Sequence, residues 1–244
     1  MTDVLVMSSD SLPPAYTQDD SNQAAALPDY KSHVSTYINP LPSSFNVYFK
    51  RSSKQTTFYH TGQTKDTPFF TIATHLDWNE KRPLAVLYNG AFDSESELSP
   101  KSQIAAVTRD SVANPHTEIT LFSNDITEHL EHHISQKQFT FSFDITHEKQ
   151  TSRQLFQWRL SRRSSLKSLE GLSVVWTLVR LKSLDRRRSS ASSVAEEPEV
   201  VATRSENLNW TSNKVAKFQF VGAGATGQYG DDWAIMAMMS ALRL

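Results

Sequence analysis

The chain has 244 residues, a formal net charge of -1 and no cysteine. That length predicts one domain of ordinary size, with tails, and is ample for a buried core. Without cysteine there are no disulfides, thiolate metal sites, cysteine nucleophiles or palmitoylation, and a near-neutral charge gives no support for bulk nucleic-acid binding.

No stretch reaches the roughly 20 apolar residues of a membrane span. Met1 to Met7 lacks the basic and apolar regions of a secretory signal. The expectation is a soluble cytoplasmic protein, at most peripheral to membranes.

Residues 1–44 are rich in Ser, Pro, Asp and Ala, and carry five aspartates against Lys31. Their large apolar residues follow no period, so ordering them would cost more than burial returns. This predicts a disordered leader. Within it, Pro13-Pro-Ala-Tyr16 spells the PPxY core read by WW domains. Two prolines preset a polyproline II turn, which an aromatic groove accepts at low entropic cost, and the tyrosine fills a second pocket. Pro13, Pro14 and Tyr16 are therefore the expected contacts for a WW-domain protein, typically a ubiquitin ligase. Leu27-Pro-Asp-Tyr30 is a weaker variant, and an ordinary Pro-rich tail is the competing reading.

From Phe45 onward the pattern changes to short alternating runs. They begin at Phe45–Phe49, Thr57–His60, Phe69–Ala73, Leu84–Tyr88, Ile104–Val107 and Glu118–Phe122. Asp125–Ile134 then places Ile126, Leu130 and Ile134 four residues apart, which predicts a short helix. His129, His132 and His133 lie there with Glu128 and Glu131. Imidazoles and carboxylates at such spacing can hold a metal, but a solvated face opposite the three apolar residues accounts for them more simply. Phe139–Ile145 is the cleanest alternation, followed by Leu155–Leu160, Val174–Leu181, Val200–Ala202 and Val215–Val221. About a dozen half-buried strands of this kind predict an antiparallel sandwich or barrel.

Residues 151–190 hold ten basic and two acidic residues. A local cluster of Arg162, Arg163, Lys167, Arg186, Arg187 and Arg188 would meet anionic lipid headgroups at about 1 kcal/mol per residue near the surface. Solvated arginines at strand ends are the competing reading. Arg162-Arg-Ser-Ser165 and Arg186-Arg-Arg-Ser-Ser190 resemble basophilic kinase substrates, making Ser164, Ser165, Ser189 and Ser190 candidate phosphosites. Each phosphate would add roughly −1.5 to −2 charge and weaken anion binding. The polar stretch 183–199 reads as a flexible loop.

Gly222-Ala-Gly-Ala-Thr-Gly227 spells GxGxxG after a strand and before a helix. The dinucleotide site that uses this fingerprint needs a second strand and an acidic residue about 20 positions on. Only 17 residues follow Gly227, so the glycines are read instead as a sharp corner in the chain. Asp231–Leu244 then has strong helix formers, with Asp231 or Asp232 able to cap its first amides and Arg243 at its negative end. Its apolar residues point all round, as in a helix buried on every side. In an all-β chain such a helix belongs inside a barrel.

This order of elements resembles the tubby C-terminal-like fold, shared by tubby, the LURP-one-related proteins and the phospholipid scramblases. The residues carrying the resemblance are Phe156-Gln-Trp158-Arg159, Leu178-Val-Arg180-Leu181, Glu199-Val-Val-Ala202, Lys217-Phe-Gln-Phe-Val-Gly222 and Asp231-Asp-Trp-Ala-Ile-Met236. It spans Phe45 to Leu244 and is similar to a fungal branch of that fold. The resemblance implies a mainly β, closed antiparallel barrel of about 12 strands around the C-terminal helix. It carries over no catalytic residues, cofactor or metal. The function it implies is a non-enzymatic binding or adaptor module, with phosphoinositide binding as in tubby. A scramblase-like protein is the rival, though the usual cysteine cluster is missing. An unrecognised enzyme is the third reading. No HExxH or GxSxG pattern appears, while a triad assembled in space would leave no such trace.

Overall fold

The computed structural model describes residues 41–76, 82–92, 94–109, 116–147, 149–161, 174–181, 198–207 and 213–244. Twelve antiparallel strands form one closed barrel. They are β1 (Ser44–Ser52), β2 (Thr56–Gly62), β3 (Pro68–His75), β4 (Ala85–Asn89), β5 (Gln103–Arg109), β6 (Thr117–Leu121), β7 (Ile126–His133), β8 (Gln138–His147), β9 (Gln150–Ser161), β10 (Val174–Leu181), β11 (Glu199–Glu206) and β12 (Lys214–Phe220). Each strand pairs with its neighbours in sequence, and β1 closes the wall on β12 through Ser44 to Tyr48. Closure leaves no strand edge among these twelve to recruit another chain.

Residues 125–134 contain no helix. They form a turn and then β7, antiparallel to β6 with Glu118 opposite His129 and Ile119 opposite Glu128. The four-residue spacing of Ile126, Leu130 and Ile134 fits both periods, because four is also even. Glu128 lies on the inner face of this strand, where a charge is costly unless paired. Here it is paired: Arg153 of β9 grips the Glu128 carboxylate with both guanidinium nitrogens, one at 2.5 Å.

The barrel is filled by α1 (Gly230–Ala241), which is buried without interruption from Trp233 to Ala241. Strands on opposite sides of the wall touch it. Phe156 of β9 and Phe220 of β12 meet Trp233 at 5.4 and 5.8 Å between ring centres, while β5 and β6 pack on its other flank. Trp158 Nε1 donates to Ser240 Oγ at 2.9 Å, and Ser240 Oγ donates on to the Ala237 carbonyl. The one hydroxyl inside the helix therefore satisfies the one indole N–H that β9 points at it. A helix surrounded by the wall needs an apolar surface all round, and this one has it.

Strands β2 to β5 are covered on both faces. Phe58, Ala73, Val86, Tyr88, Ala106 and Phe122 form a separate outer cluster, roofed by Phe92 and Leu98 of the β4–β5 connection. Their burial is accordingly continuous in β4 rather than alternating. No helix among the described residues is long and apolar enough to cross a membrane.

The aspartates of α1 do not cap its first turn. Asp232 instead accepts hydrogen bonds from Ser123 Oγ at 3.1 Å and Asn124 Nδ2 at 2.5 Å, in the β6–β7 turn. Those bonds fix where the helix enters, at what we call the proximal rim. A second latch holds the corner before it. Glu199 Oε2 lies 2.8 Å from Arg180 Nη2, and Tyr229 Oη donates to the same carboxylate at 3.5 Å. Burial pushes the Tyr229 hydroxyl up to about 12; Arg180 pulls it down, and the Glu199 charge adds to the rise. The fold thus holds Tyr229 neutral where the unfolded chain ionises near pH 10. Its contribution to stability is present below pH 10 and is lost as pH climbs toward about 12. Tyr229→Phe is expected to flatten the alkaline limb of stability between those limits, measured by urea unfolding at stepped pH. An unchanged alkaline limb would show that Tyr229 does not carry it.

Candidate functional site

Because α1 occupies the interior, the distal rim is where cavities open beside it. There the C-terminal end of α1 emerges between the ends of β3, β5 and β11 and the starts of β4 and β12. One cavity, of about 290 Å³, is lined by Val47, Tyr59, Ile72, Arg204, Glu206 and Leu242, among others. Alternation in β11 turns Arg204 and Glu206 inward, where Arg204 pairs with Trp176 of β10 and Phe218 of β12 in register. Arg204 Nη1 lies 3.0 Å from Glu206 Oε1, but at an angle that makes no hydrogen bond. Burial lowers the Arg204 pKa, with the Glu206 charge opposing it. Burial also raises the Tyr59 hydroxyl, against a hydrogen bond with Thr74.

A second cavity, of about 310 Å³, lies on the other side of Leu242. Thr74, His75, Leu76, Leu84, Arg109 and Arg243 line it, together with Ala85 and Leu242. Arg243 Nε is buried without a hydrogen-bond partner, and its pKa is lowered by burial first and the Arg109 charge second. A third hollow, about 390 Å³, lies on the wall between Lys50, His60, Lys65, Asp66 and Glu97. Its charges are of both signs, and His60 Nε2 is 2.9 Å from the Phe92 carbonyl.

Arg51, Lys54, Arg82, Arg109, Lys137, Lys214 and Arg243 gather at the distal rim, alongside Glu131 and Glu206, whereas the proximal rim mixes Asp66, Asp125, Glu199, Asp231 and Asp232 with Lys65, Lys101, Lys149 and Arg180. Leu76 and Ile134, both well exposed, are also distal. Sequence reasoning missed this gathering, because the residues that build it are far apart in the chain. Arg109 and Arg204 carry a signal in hindsight: each continues the inward alternation of its strand, so its guanidinium must end inside the mouth.

The histidines of β7 do not converge. Alternation puts His132 on the inner face, stacked on Phe139 at 4.2 Å, with its pKa lowered by burial and then by Arg243. His129 and His133 face outward, 3.5 Å from Glu118 and 3.7 Å from Glu131. A shared face for His129 and His132 required the helix that is not there. Among the described residues, no three His, Asp or Glu side chains are placed to hold a metal.

Pro13, Pro14 and Tyr16 lie outside the described residues. So do Arg162, Arg163, Lys167, Arg186, Arg187 and Arg188, and the candidate phosphosites Ser164, Ser165, Ser189 and Ser190. The described wall does locate where their segments attach. Ser161 and Val174 end at the distal rim, while Leu181 and Glu199 end at the proximal rim. The eight residues of β10 separate the two points by roughly 23 Å along the strand. Comparison of the chain with protein-family models, curated proteins and solved structures found no match.

Proposed function

We propose that the protein is a non-enzymatic binding module of the tubby-like kind, in which a plugged barrel serves as scaffold and its distal rim meets anionic lipid headgroups. The observation that carries this reading is the gathering of basic side chains and exposed apolar ones on the distal rim, against a mixed proximal rim. Support for the tubby-like assignment comes from the order of elements, twelve strands and then one buried helix. The leader, through Pro13, Pro14 and Tyr16, recruits a WW-domain protein to the same surface.

Each arm has its own test. In a pull-down with an immobilised WW domain, the full chain is expected to be retained and Tyr16→Ala to lose at least tenfold in binding; equal retention of both removes the recruiting role. In vesicle co-sedimentation, binding is expected with about a fifth anionic lipid, to weaken as salt rises, and to vanish on neutral vesicles, because exposed charges are screened over a Debye length. Binding that ignores lipid charge removes the membrane role.

A further inference from the structure

Among the described residues, the lining of the cavity beside Leu242 holds Arg109 and Arg243 and no acidic side chain. Neither arginine has an ion-pair partner among the described residues, unlike Arg153, Arg180 and Arg204, each of which faces a glutamate. A buried guanidinium N–H without an acceptor is costly, and a low local dielectric increases the cost. The carbonyl end of α1 offsets part of the charge, since a helix C-terminus is equivalent to about half a negative charge. Two guanidiniums against about half a charge leave the site net positive, with room for an anion.

The rest of the lining is apolar. Leu76, Leu84, Ala85 and Leu242 form the walls, and Leu76 projects into solvent at the opening. Thr74 and His75 are engaged with the wall: Thr74 Oγ1 donates to the Thr57 carbonyl, and His75 Nδ1 is 3.1 Å from Thr56 Oγ1. The polar demand of the site therefore rests on the two arginines. Its volume, about 310 Å³, is at the small end of the ligand-pocket range, roughly 300–1,000 Å³. The neighbouring cavity lacks this character, because Glu206 already faces Arg204.

We propose that the cavity beside Leu242 binds a monomeric amphiphilic carboxylate, with Arg109 and Arg243 taking the oxyanion and Leu76, Leu84 and Leu242 taking a short alkyl stem. Arginine forks match a carboxylate geometrically, and charge-assisted bonds of this kind are about twice as strong as neutral ones. This site deepens the reading of the distal rim as a binding surface, yet it uses neither the leader nor a vesicle, so its failure leaves those two assays to stand by themselves.

The test is calorimetric titration of the full chain with octanoate below its micelle concentration, beside octanol, acetate and octyl phosphate. Saturable one-to-one binding of octanoate is expected. Octanol, which lacks the charge, and acetate, which lacks the stem, are expected to bind at least tenfold more weakly. Arg109→Gln and Arg243→Gln are each expected to weaken octanoate at least tenfold with unchanged far-UV circular dichroism, and Arg109→Lys to lose less than Arg109→Gln. Absence of saturable octanoate binding overturns the proposal, as does octanol binding equally well or both glutamine variants binding like wild type. Octyl phosphate binding tenfold more tightly than octanoate overturns the carboxylate assignment. Should a variant fail to fold, the four ligands compared on the unaltered chain still decide it.

Discussion

Trp233→Ala is expected to lower the free energy of unfolding by about 3–5 kcal/mol, the usual cost of removing a large aromatic from a core that cannot close over the gap. Domain stabilities are roughly 5–15 kcal/mol, so this single change removes a large share. Trp233 is 1% exposed and is the ring on which Phe156, Phe220 and Tyr229 converge, Tyr229 at 4.6 Å. Those three come from β9, β12 and the corner before α1, so the cavity would open between separate pieces of wall. Trp233→Phe is a different case. Trp233 Nε1 is buried without a hydrogen-bond partner, a defect worth about 1–3 kcal/mol. Phenylalanine gives up area but removes the unpaired donor, so the two effects oppose, and a change within about 1 kcal/mol is expected. Guanidinium unfolding of both variants checks this. A Trp233→Phe variant as damaged as Trp233→Ala would show that the indole N–H has a partner after all.

How much of this was legible in the sequence depends on how far a pattern had to reach. Eleven of the twelve strands follow from short local apolar runs, most plainly where inward residues such as Phe139, Phe141, Phe143 and Ile145 share one face. The buried helix was legible from its lack of a polar side, since only a surrounding wall tolerates that. β7 was not, because Glu128 among apolar residues looks like a break in a strand until Arg153, 25 residues on, is placed against it. Asp232 likewise reads as a cap on its own helix, whereas its partners are Ser123 and Asn124, more than a hundred residues away. Of the distal cavities, the inward alternation of Arg109 and Arg204 was the one local trace, and it did not say that they share a mouth. Arg109 and Arg243 are single basic residues more than a hundred positions apart, and only closure of the barrel brings them to one mouth. The conspicuous runs, Arg162 to Lys167 and Arg186 to Arg188, drew attention by density, yet their segments leave the wall at opposite rims.

Gly224→Ala is expected to destabilise by about 3 kcal/mol, at the upper end of what overpacking costs, against what local reasoning suggests. Gly224 does not adopt a positive φ, and replacing glycine by alanine at such a position usually stabilises by about 0.4–1 kcal/mol through the unfolded chain. Tertiary geometry reverses the sign. A Cβ at Gly224 would lie 2.2 Å from the Val201 carbonyl oxygen and 3.0 Å from the Trp233 ring. The ring could shift, but the carbonyl cannot easily, because it accepts the Val221 N–H at 3.0 Å and so ties β11 to the corner. Gly227, three residues on, is the control. It has φ +74 and nothing within 4 Å of the Cβ position, so Gly227→Ala carries only backbone strain, about 1–2 kcal/mol. Gly224→Ala should therefore be the worse of the two, although its backbone is the more ordinary. Combining it with Trp233→Phe relieves the ring contact and leaves the carbonyl clash, so the double variant should recover little. Equilibrium unfolding of the three variants separates the terms. A Gly224→Ala protein as stable as wild type would mean that the corner moves away from β11, and with it the entry of α1 into the barrel.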